Sequence, residues 1–419
     1  MAALHDWLMK IFRIIARLNV GGPARHVVWL SKELQDEEFQ SVLISGTIPP
    51  GEEDMGWFAK ENGVVPVFIP EMSRELSPKD VVSLYKVYRA MRSQTPDIIH
   101  THTAKAGTIG RTAGFLYRWL TWGTLIGRPR RVSIVHTFHG HVFHSYYGGL
   151  KTKLFLTIEK LLARFATDKI VTITRQQFDE IHKKFGVGRA GQFEIIPLGI
   201  DLSISDGGRE AKREAFRSEV GAGEGEILVG FVGRLTEIKN VGLLLKAAQI
   251  YKAGAANDLP TLKFAIIGDG NLREALEAEA DALGLSGLVT FLGNRDDADV
   301  FYAGLDLVAL TSLNEGTPLS LIEAMACGRA VISTAVGGVA DLMGSLTRKE
   351  EGFSVHERGI LVDPNSPEAF YGGLIYLAKN KKLRENSAAA GQTFARMNYN
   401  KERLVNDIKE LYRRLAGGA

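Results

Sequence analysis

The sequence predicts an α/β protein made of two doubly wound, Rossmann-like domains. Short apolar runs, each the length of a buried strand, alternate with longer amphipathic stretches, the pattern of a parallel sheet covered by helices on both faces. Several of these runs end in glycine-rich or charged loops, and folds of this kind bind ligands at the carboxyl ends of their strands. The length of 419 residues exceeds what one hydrophobic core usually spans. Charge divides the chain in two: residues 1–200 carry net +8 and residues 201–419 net −5, and nine of the ten histidines belong to the basic part. We expect a first domain over 1–202, a second over 203–395 and a closing segment over 396–419, with the small polar stretch 203–208 as linker.

Residues 10–18 read as the first strand. Asn19, Val20, Gly21, Gly22 and Pro23 then form a glycine-rich loop, and 26–34 reads as a helix. Such a junction lets backbone approach a diphosphate closely, although a plain tight turn uses the same glycines. Residues 41–44 and 64–69 read as strands and 78–93 as a helix. The run 97–102 is a strand ending in His100 and His102; the run 132–137 ends in His136, with His139 and His141 close behind. Six histidines between 100 and 144 raise the question of a metal. No carboxylate interleaves them and no helical His-x3-His occurs, so we expect polar contacts to an acceptor instead. Residues 168–174 form a further strand, and 195–201 closes the domain.

In the second domain, 227–232 is a buried strand and 241–252 a helix, joined by a loop that holds Gly233, Arg234 and Lys239. Two cations there could stabilise a departing diphosphate without a metal, or be merely solvated. The strand 262–267 runs into Gly268, Asp269 and Gly270, but Arg273 stands where a dinucleotide fingerprint needs its third glycine, which excludes NAD. The chain is organised around 305–333, a strand, loop, helix and strand. Thr317 and Pro318 suit the first helical positions and Gly328 the stop. Glu315 precedes the helix, and Glu323 shares one of its faces with Leu319 and Cys327. The free N–H groups of a first turn attract phosphate, which a carboxylate at Glu315 would repel. Glu315 makes sense if it grips hydroxyls of a sugar beside the phosphate, with Glu323 gripping a second set, such as a ribose. The alternative is an ordinary solvated helix start with Glu at the positive end of the dipole. Residues 402–415 form a last amphipathic helix.

Glu315 and Glu323, seven residues between them and followed by Ala324, Met325, Ala326, Cys327 and Gly328, resemble the donor-site motif of retaining glycosyltransferases of family 4. Those enzymes have the two-domain fold called GT-B. Val336, Gly337, Gly338 and Val339 are similar to the family too, whereas Ala340 and Asp341 replace its usual Pro-Glu and Arg175 stands where a serine is usual. The resemblance implies roles. Gly233, Arg234 and Lys239 would meet the donor diphosphate, and Gly316, Thr317, Pro318 and Leu319 would stabilise it as it departs. Glu315 would hold sugar hydroxyls and Glu323 the ribose. Asn294 and Arg295 would lie at the base. His139, with His141 as its rival, would contact the sugar near the reacting carbon. Gly21 and Gly22 would face the donor phosphates or the acceptor, and His102 the acceptor side. His139, Arg234, Lys239 and Glu315 are the expected catalytic residues. No protein nucleophile is assigned, because the departing diphosphate can itself serve as the base. The last helix would cross back to the first domain, and the site would lie between the two.

The implied enzyme moves a hexose or N-acetylhexosamine from a nucleotide sugar, UDP-linked, to a glycan or polyprenyl-linked acceptor in cell-surface polysaccharide synthesis, with retained configuration. The nucleotide sugar is its substrate; no cofactor and no metal are expected. A sugar-nucleotide epimerase of the same fold, or a non-catalytic nucleotide-sugar binder, are the alternatives. No apolar run reaches membrane-spanning length, and Asp6, Lys10, Arg13 and Arg17 interrupt any secretory core, with residues 1–8 an extension before the first strand. The single cysteine, Cys327, excludes an intrachain disulfide and a cysteine metal cluster, which suits a cytoplasmic protein. The basic half lacks an aromatic-basic RNA signature, so nucleic acid is not an expected partner; an anionic lipid surface or a phosphorylated acceptor is. In 115–131, helical spacing puts Phe115, Trp119 and Trp122 on one face, with Ile126 in line if the helix survives Gly123. Arg111 and Arg118 flank that face, and Arg128, Arg130 and Arg131 follow it. It reads as a peripheral contact with the inner face of an anionic membrane, or else as a helix packing its aromatic face into the core.

Overall fold

The first strand, β1 (Met9–Arg17), is apolar on both faces except for Arg13 and its terminal residues, because both faces are covered. A computed structural model of the chain describes residues 8–19, 21–48, 54–73, 77–139, 149–202, 207–254 and 259–417. His141, His144 and most of the linker 203–208 lie outside these. The chain divides into two compact units, Met1–Gly199 with Glu402–Ala419, and Ile200–Lys401.

The first unit is a parallel sheet of β1, β2 (Phe39–Gly46), β3 (Val67–Phe68), β4 (Ile98–His102), β5 (Ser133–Phe138), β6 (Lys169–Thr172) and β7 (Phe193–Ile195). Their order is β3-β2-β1-β4-β5-β6-β7. The expected strand over 64–69 shrinks to the two exposed residues of β3, which pair only with Ile44 and Ser45 at the sheet edge. On one face Phe12, Ile14, Ile99 and Ile134 pack under the helices Lys79–Gln94 and Ala104–Trp119. On the other, Ile11, Ile98 and Val135 pack with Leu30 and Leu34 and with the last helix, Lys401–Gly417. That helix buries Leu404, Val405, Ile408, Leu411 and Tyr412, each worth about 1.5–3 kcal/mol when fully buried. Lys409 adds a pair to Asp36 at 2.6 Å and Arg413 one to Glu38 at 2.5 Å, exposed contacts of small value.

The second unit holds β8 (Ile227–Val232), β9 (Leu262–Ile267), β10 (Val289–Gly293), β11 (Leu307–Leu310), β12 (Ala330–Thr334), β13 (Leu346–Lys349), β14 (Phe353–His356) and β15 (Gly359–Val362). Their order is β10-β9-β8-β11-β12-β15-β14-β13, parallel except for the antiparallel edge β13-β14-β15. The edge hairpin carries no legible period: all four residues of β13 are exposed. Asp306, the one charge in the run 305–310, takes Arg213 and Arg217 at 2.8 Å each and the Leu228 N–H at 2.9 Å. It thereby clamps the helix Arg209–Glu219 to the sheet.

Both sheets reverse their strand order beside their first strand, between β1 and β4 and between β8 and β11. Ligands of doubly wound sheets bind at this point, beyond the carboxyl ends of the strands. His102 ends β4, Gly21 and His139 follow β1 and β5, and Gly233 and Glu315 follow β8 and β11. No helix among the described residues is long and apolar enough to cross a membrane.

Candidate active site

In the second unit, the loop after β8 is held by backbone. A Cβ on Gly268 (φ +133°) would stand 2.0 Å from the Gly233 carbonyl oxygen, and one on Gly270 2.3 Å from that of Leu235. The Leu235 N–H donates to the Asp269 carbonyl at 2.8 Å. The Gly-Asp-Gly segment is thus a buttress for residues 233–235, with Asp269 tied to Arg273 at 2.8 Å. A single turn, Glu237–Lys239, ends at Asn240, whose φ of 47° turns the chain sharply into the helix Val241–Ala253. Asn tolerates this left-handed region better than most residues. Thr311 Oγ1 donates to the Lys239 carbonyl at 2.9 Å and the Leu313 N–H to that of Ile238 at 2.8 Å, so the loops after β8 and β11 are stitched together.

That stitching brings Lys239 Nζ to 2.5 Å from Glu315 Oε1, and Ser312 Oγ donates to the same oxygen at 2.6 Å. Arg234, in the same loop as Lys239, is exposed and has no partner among the described residues. The helix after Glu315 runs Leu319–Ala326. Thr317 and Pro318 stand before it rather than inside it, because Pro318 is extended (ψ 101°) and caps it; the Leu321 N–H reaches the Pro318 carbonyl at 3.2 Å. Thr317 Oγ1 is buried without a partner, an uncommon state that a bound ligand would relieve. Gly337 (φ +51°) approaches so closely that a Cβ there would lie 1.8 Å from the Glu315 carbonyl oxygen, and the Gly338 N–H donates to that oxygen at 3.0 Å.

Glu323 is held by a residue the sequence pattern did not single out. The fully buried Tyr302 hydroxyl donates to Glu323 Oε2 at 3.0 Å. Burial first, and then the charge of Glu323, push that hydroxyl well above its ordinary pKa, so it stays a donor. Asn294 is exposed. Arg295 is engaged by protein: its guanidinium binds Asp297 through two nitrogens at 2.8 and 2.5 Å, pairs with Glu219, and lies over the Phe216 ring. Asp299 pairs with Lys212 at 2.8 Å.

In the first unit, Gly22 and Pro23 open the helix Gly22–Glu33, where Pro suits the first turn. The buried His26 follows one turn in. It meets the ends of β4 and β5: its ring centroid lies 5.7 Å from that of His102 and 4.8 Å from that of His139. His102 Nδ1 is 2.8 Å from His139 Nε2. His100 Nε2 is 2.7 Å from Thr137 Oγ1, and its Nδ1 is 2.6 Å from the hydroxyl of Tyr412 on the last helix. Beneath them lies Arg13, fully buried in β1, with Nη1 3.5 Å from both His100 Nδ1 and His102 Nε2. Burial, and then the Arg13 charge, hold His139 at a pKa of about 3. His26, His100, His102 and His136 also lie well below the usual range, burial being the main cause. All five are neutral at pH 7.

The ring nitrogens of His26, His102 and His139 lie within 4.8 Å of one another, and neutral imidazoles are suitable ligands for a transition metal. Arg13 opposes that use. Its fixed positive charge adjoins His102, and both ring nitrogens of His102 are engaged, Nδ1 with His139 and Nε2 with Arg13. The sequence reading missed Arg13, His26, Tyr302, Ser312 and Tyr412; only the buried position of Arg13 within an apolar strand was there to be noticed.

Comparison with known proteins identifies the family. Residues 20–204 match the model of "Glycosyltransferase Family 4" and residues 212–394 that of "Glycosyl transferases group 1". The chain is 27% identical to the UDP-Gal:alpha-D-GlcNAc-diphosphoundecaprenol alpha-1,3-galactosyltransferase of Escherichia coli, over 87% of this chain and 90% of that one. It is 26% identical to the 2-deoxystreptamine N-acetyl-D-glucosaminyltransferase of Streptomyces fradiae, over 78% of each. Among solved structures it superposes on Anabaena HepE in complex with UDP with a TM-score of 0.73 at 19% identity, covering 97% of this chain and 99% of that one. At that identity the likeness speaks for the fold.

Proposed function

Since the chain is a glycosyltransferase of the family 4 type, with two Rossmann-like domains of the GT-B class, we propose that it transfers a hexose or N-acetylhexosamine from a UDP-linked donor, with retention, to a polyprenyl-linked or glycan acceptor in cell-surface polysaccharide synthesis. The observation that carries this is the cluster after β8 and β11. It combines an exposed Arg234 without a partner among the described residues, the pair Lys239–Glu315, the orphan Thr317 hydroxyl and the open first turn of the helix Leu319–Ala326. Charge of that kind at one strand end suits a diphosphate that gains negative charge as its bond breaks.

In this scheme Arg234, Lys239 and the N–H groups at the helix start, from Gly316 to Leu319, take the diphosphate. Glu315 holds sugar hydroxyls and Glu323, braced by Tyr302, the ribose. Asn294 and the loop backbone after β10 meet the base, a task for which the Arg295 guanidinium is not free. His139 serves the sugar near its reacting carbon, Gly21 and Gly22 face the donor phosphates or the acceptor, and His102 belongs to the acceptor side. The acceptor's proton passes to the leaving diphosphate, and no metal takes part. Likeness to the Escherichia coli galactosyltransferase, whose acceptor is diphosphoundecaprenol-linked, supports a lipid-linked acceptor.

A peripheral membrane contact fits the surface of 115–131, in a form different from the expected continuous helix. The helix ends at Trp119, and Thr121 Oγ1 caps a separate turn, Trp122–Leu125. The aromatic face is not in the core: Trp122, Leu125 and Ile126 are 86, 76 and 74% exposed. Arg111 is instead buried against Glu159 at 2.7 Å, Arg118 pairs with Asp168, and Arg130 lies over the Tyr117 ring. This leaves Arg128 and Arg131 beside the apolar patch.

The deciding experiment is release of UDP from a panel of UDP-sugars with lipid extracts, with and without EDTA. We expect UDP release that needs the lipid fraction and survives EDTA. Release without acceptor would favour the epimerase, and a strict need for Mn²⁺ or Mg²⁺ would remove the metal-free scheme.

A further inference from the structure

The buried Arg13 is donor-only: a guanidinium keeps its proton and has no lone pair to offer. Whatever ring nitrogen faces it must therefore accept. Nη1 of Arg13 stands 3.5 Å from His100 Nδ1 and 3.5 Å from His102 Nε2. Each neutral imidazole carries one proton, so these two contacts decide both tautomers. His100 carries its proton on Nε2 and donates it to Thr137 Oγ1 at 2.7 Å, while its Nδ1 accepts from the Tyr412 hydroxyl at 2.6 Å. His102 carries its proton on Nδ1, which lies 2.8 Å from His139 Nε2. His139 Nε2 must then accept, and the remaining proton of His139 sits on Nδ1, for which no protein partner stands among the described residues.

The opposite assignment has a physical obstacle. If His139 donated from Nε2, His102 would have to accept at Nδ1 and move its proton to Nε2, where an N–H would point at the guanidinium N–H groups of Arg13. That places two donors face to face in a site without water contact, since Arg13, His100 and His102 are fully buried.

We propose that Arg13 is a positioning residue for the transfer: through His102 it fixes His139 as a neutral imidazole that presents an Nδ1–H donor to the bound ligand. The role rests on the assignment of His139 to the sugar proposed above; the tautomer does not. His139 then acts on an oxygen of the ligand as a hydrogen-bond donor that need not lose its proton, which leaves proton uptake to the diphosphate.

The test separates the two. ¹⁵N-histidine spectra of the full chain without substrate, assigned with His102→Asn and His139→Asn variants, report which ring nitrogen is protonated. We expect Nδ1–H on His102 and His139 and Nε2–H on His100 in the wild type. Arg13→Leu, which fills the space without a charge, should let His102 and His139 populate both tautomers and lower kcat about tenfold or more with little change in donor KM, and Arg13→Lys should restore both readouts. An Nε2–H form of His139 in the wild type, or unchanged tautomers in Arg13→Leu, overturns the proposal. If the tautomers shift as stated but kcat does not, the positioning role is overturned. In that case His139→Gln shows whether the assignment of His139 to the sugar has failed as well.

Discussion

Lys239 Nζ lies 2.5 Å from Glu315 Oε1, so the carboxylate before the helix Leu319–Ala326 meets a cation before any ligand arrives. This removes the objection that Glu315 would repel a neighbouring phosphate. It also means that Lys239 must share its charge between Glu315 and the donor. Lys239→Met should raise donor KM about tenfold or more and lower kcat, because it removes diphosphate charge and takes the neighbouring cation from Glu315. Glu315→Gln should mainly lower kcat. Steady-state kinetics on both variants checks this, and wild-type constants for both would remove the donor-site assignment.

Glu323 and Tyr302 form a second pair, 3.0 Å apart. Glu323→Gln should mainly raise donor KM. Tyr302→Phe takes away one donor to a carboxylate, a contact worth about 1.5–3 kcal/mol, and should raise donor KM in the same direction. Calorimetric titration with UDP reads the effect without turnover. Unchanged UDP affinity in both variants would show that Glu323 does not face the nucleotide.

The histidine cluster makes the first unit acid-sensitive. His26, His100, His102, His136 and His139 have folded pKa values below the unfolded 6.5. Above pH 6.5 both states are neutral and the cluster contributes no pH dependence. As pH falls below 6.5 the unfolded chain binds protons that the folded one refuses, and each histidine lowers stability by about 1.4 kcal/mol per pH unit until its folded pKa is reached. All five tryptophans precede residue 123, so their fluorescence reads this unit alone. The urea midpoint should stay level from pH 7.5 to about 6.5 and fall steeply below that. A flat profile would mean that the rings take up protons in the folded state.

The exposed patch of Trp119, Leu120, Trp122, Leu125 and Ile126 precedes the amino end of β5, whereas His102 and His139 stand at the carboxyl ends of β4 and β5. A membrane bound there would act as a tether rather than as the floor of the site. Arg128 and Arg131 add about 1 kcal/mol each near an anionic surface. Phosphatidylglycerol vesicles should sediment the protein at low salt and release it at high salt, and phosphatidylcholine vesicles should not bind it. Arg128→Ser with Arg131→Ser, or Trp122→Ser with Leu125→Ser, should abolish sedimentation while leaving the fold intact. Wild type that stays in the supernatant at low salt would end the docking idea.

Sequence alone determined the doubly wound class and most of its strands. Runs such as Ile227–Val232 and Leu262–Ile267 are apolar on both faces, and only a covered parallel strand needs that. It also marked Glu315, Glu323, Arg234 and Lys239, because a strand, a loop and a helix start are local features. The edge strands β3 and β13 were not legible as seen, since neither is buried enough to leave a pattern. Nor were the partners legible. Arg13 reads as a charge interrupting a strand, and only the pairing of β1 with β4 sets it against His100. Tyr412 meets that histidine from 312 residues away. Tyr302 reaches Glu323 from a different helix, and Arg295 is drawn to Asp297 and Glu219. The period of a sequence tells which face of an element is buried, but which side chains meet there depends on the order of strands in the sheet, and tertiary structure alone decides that.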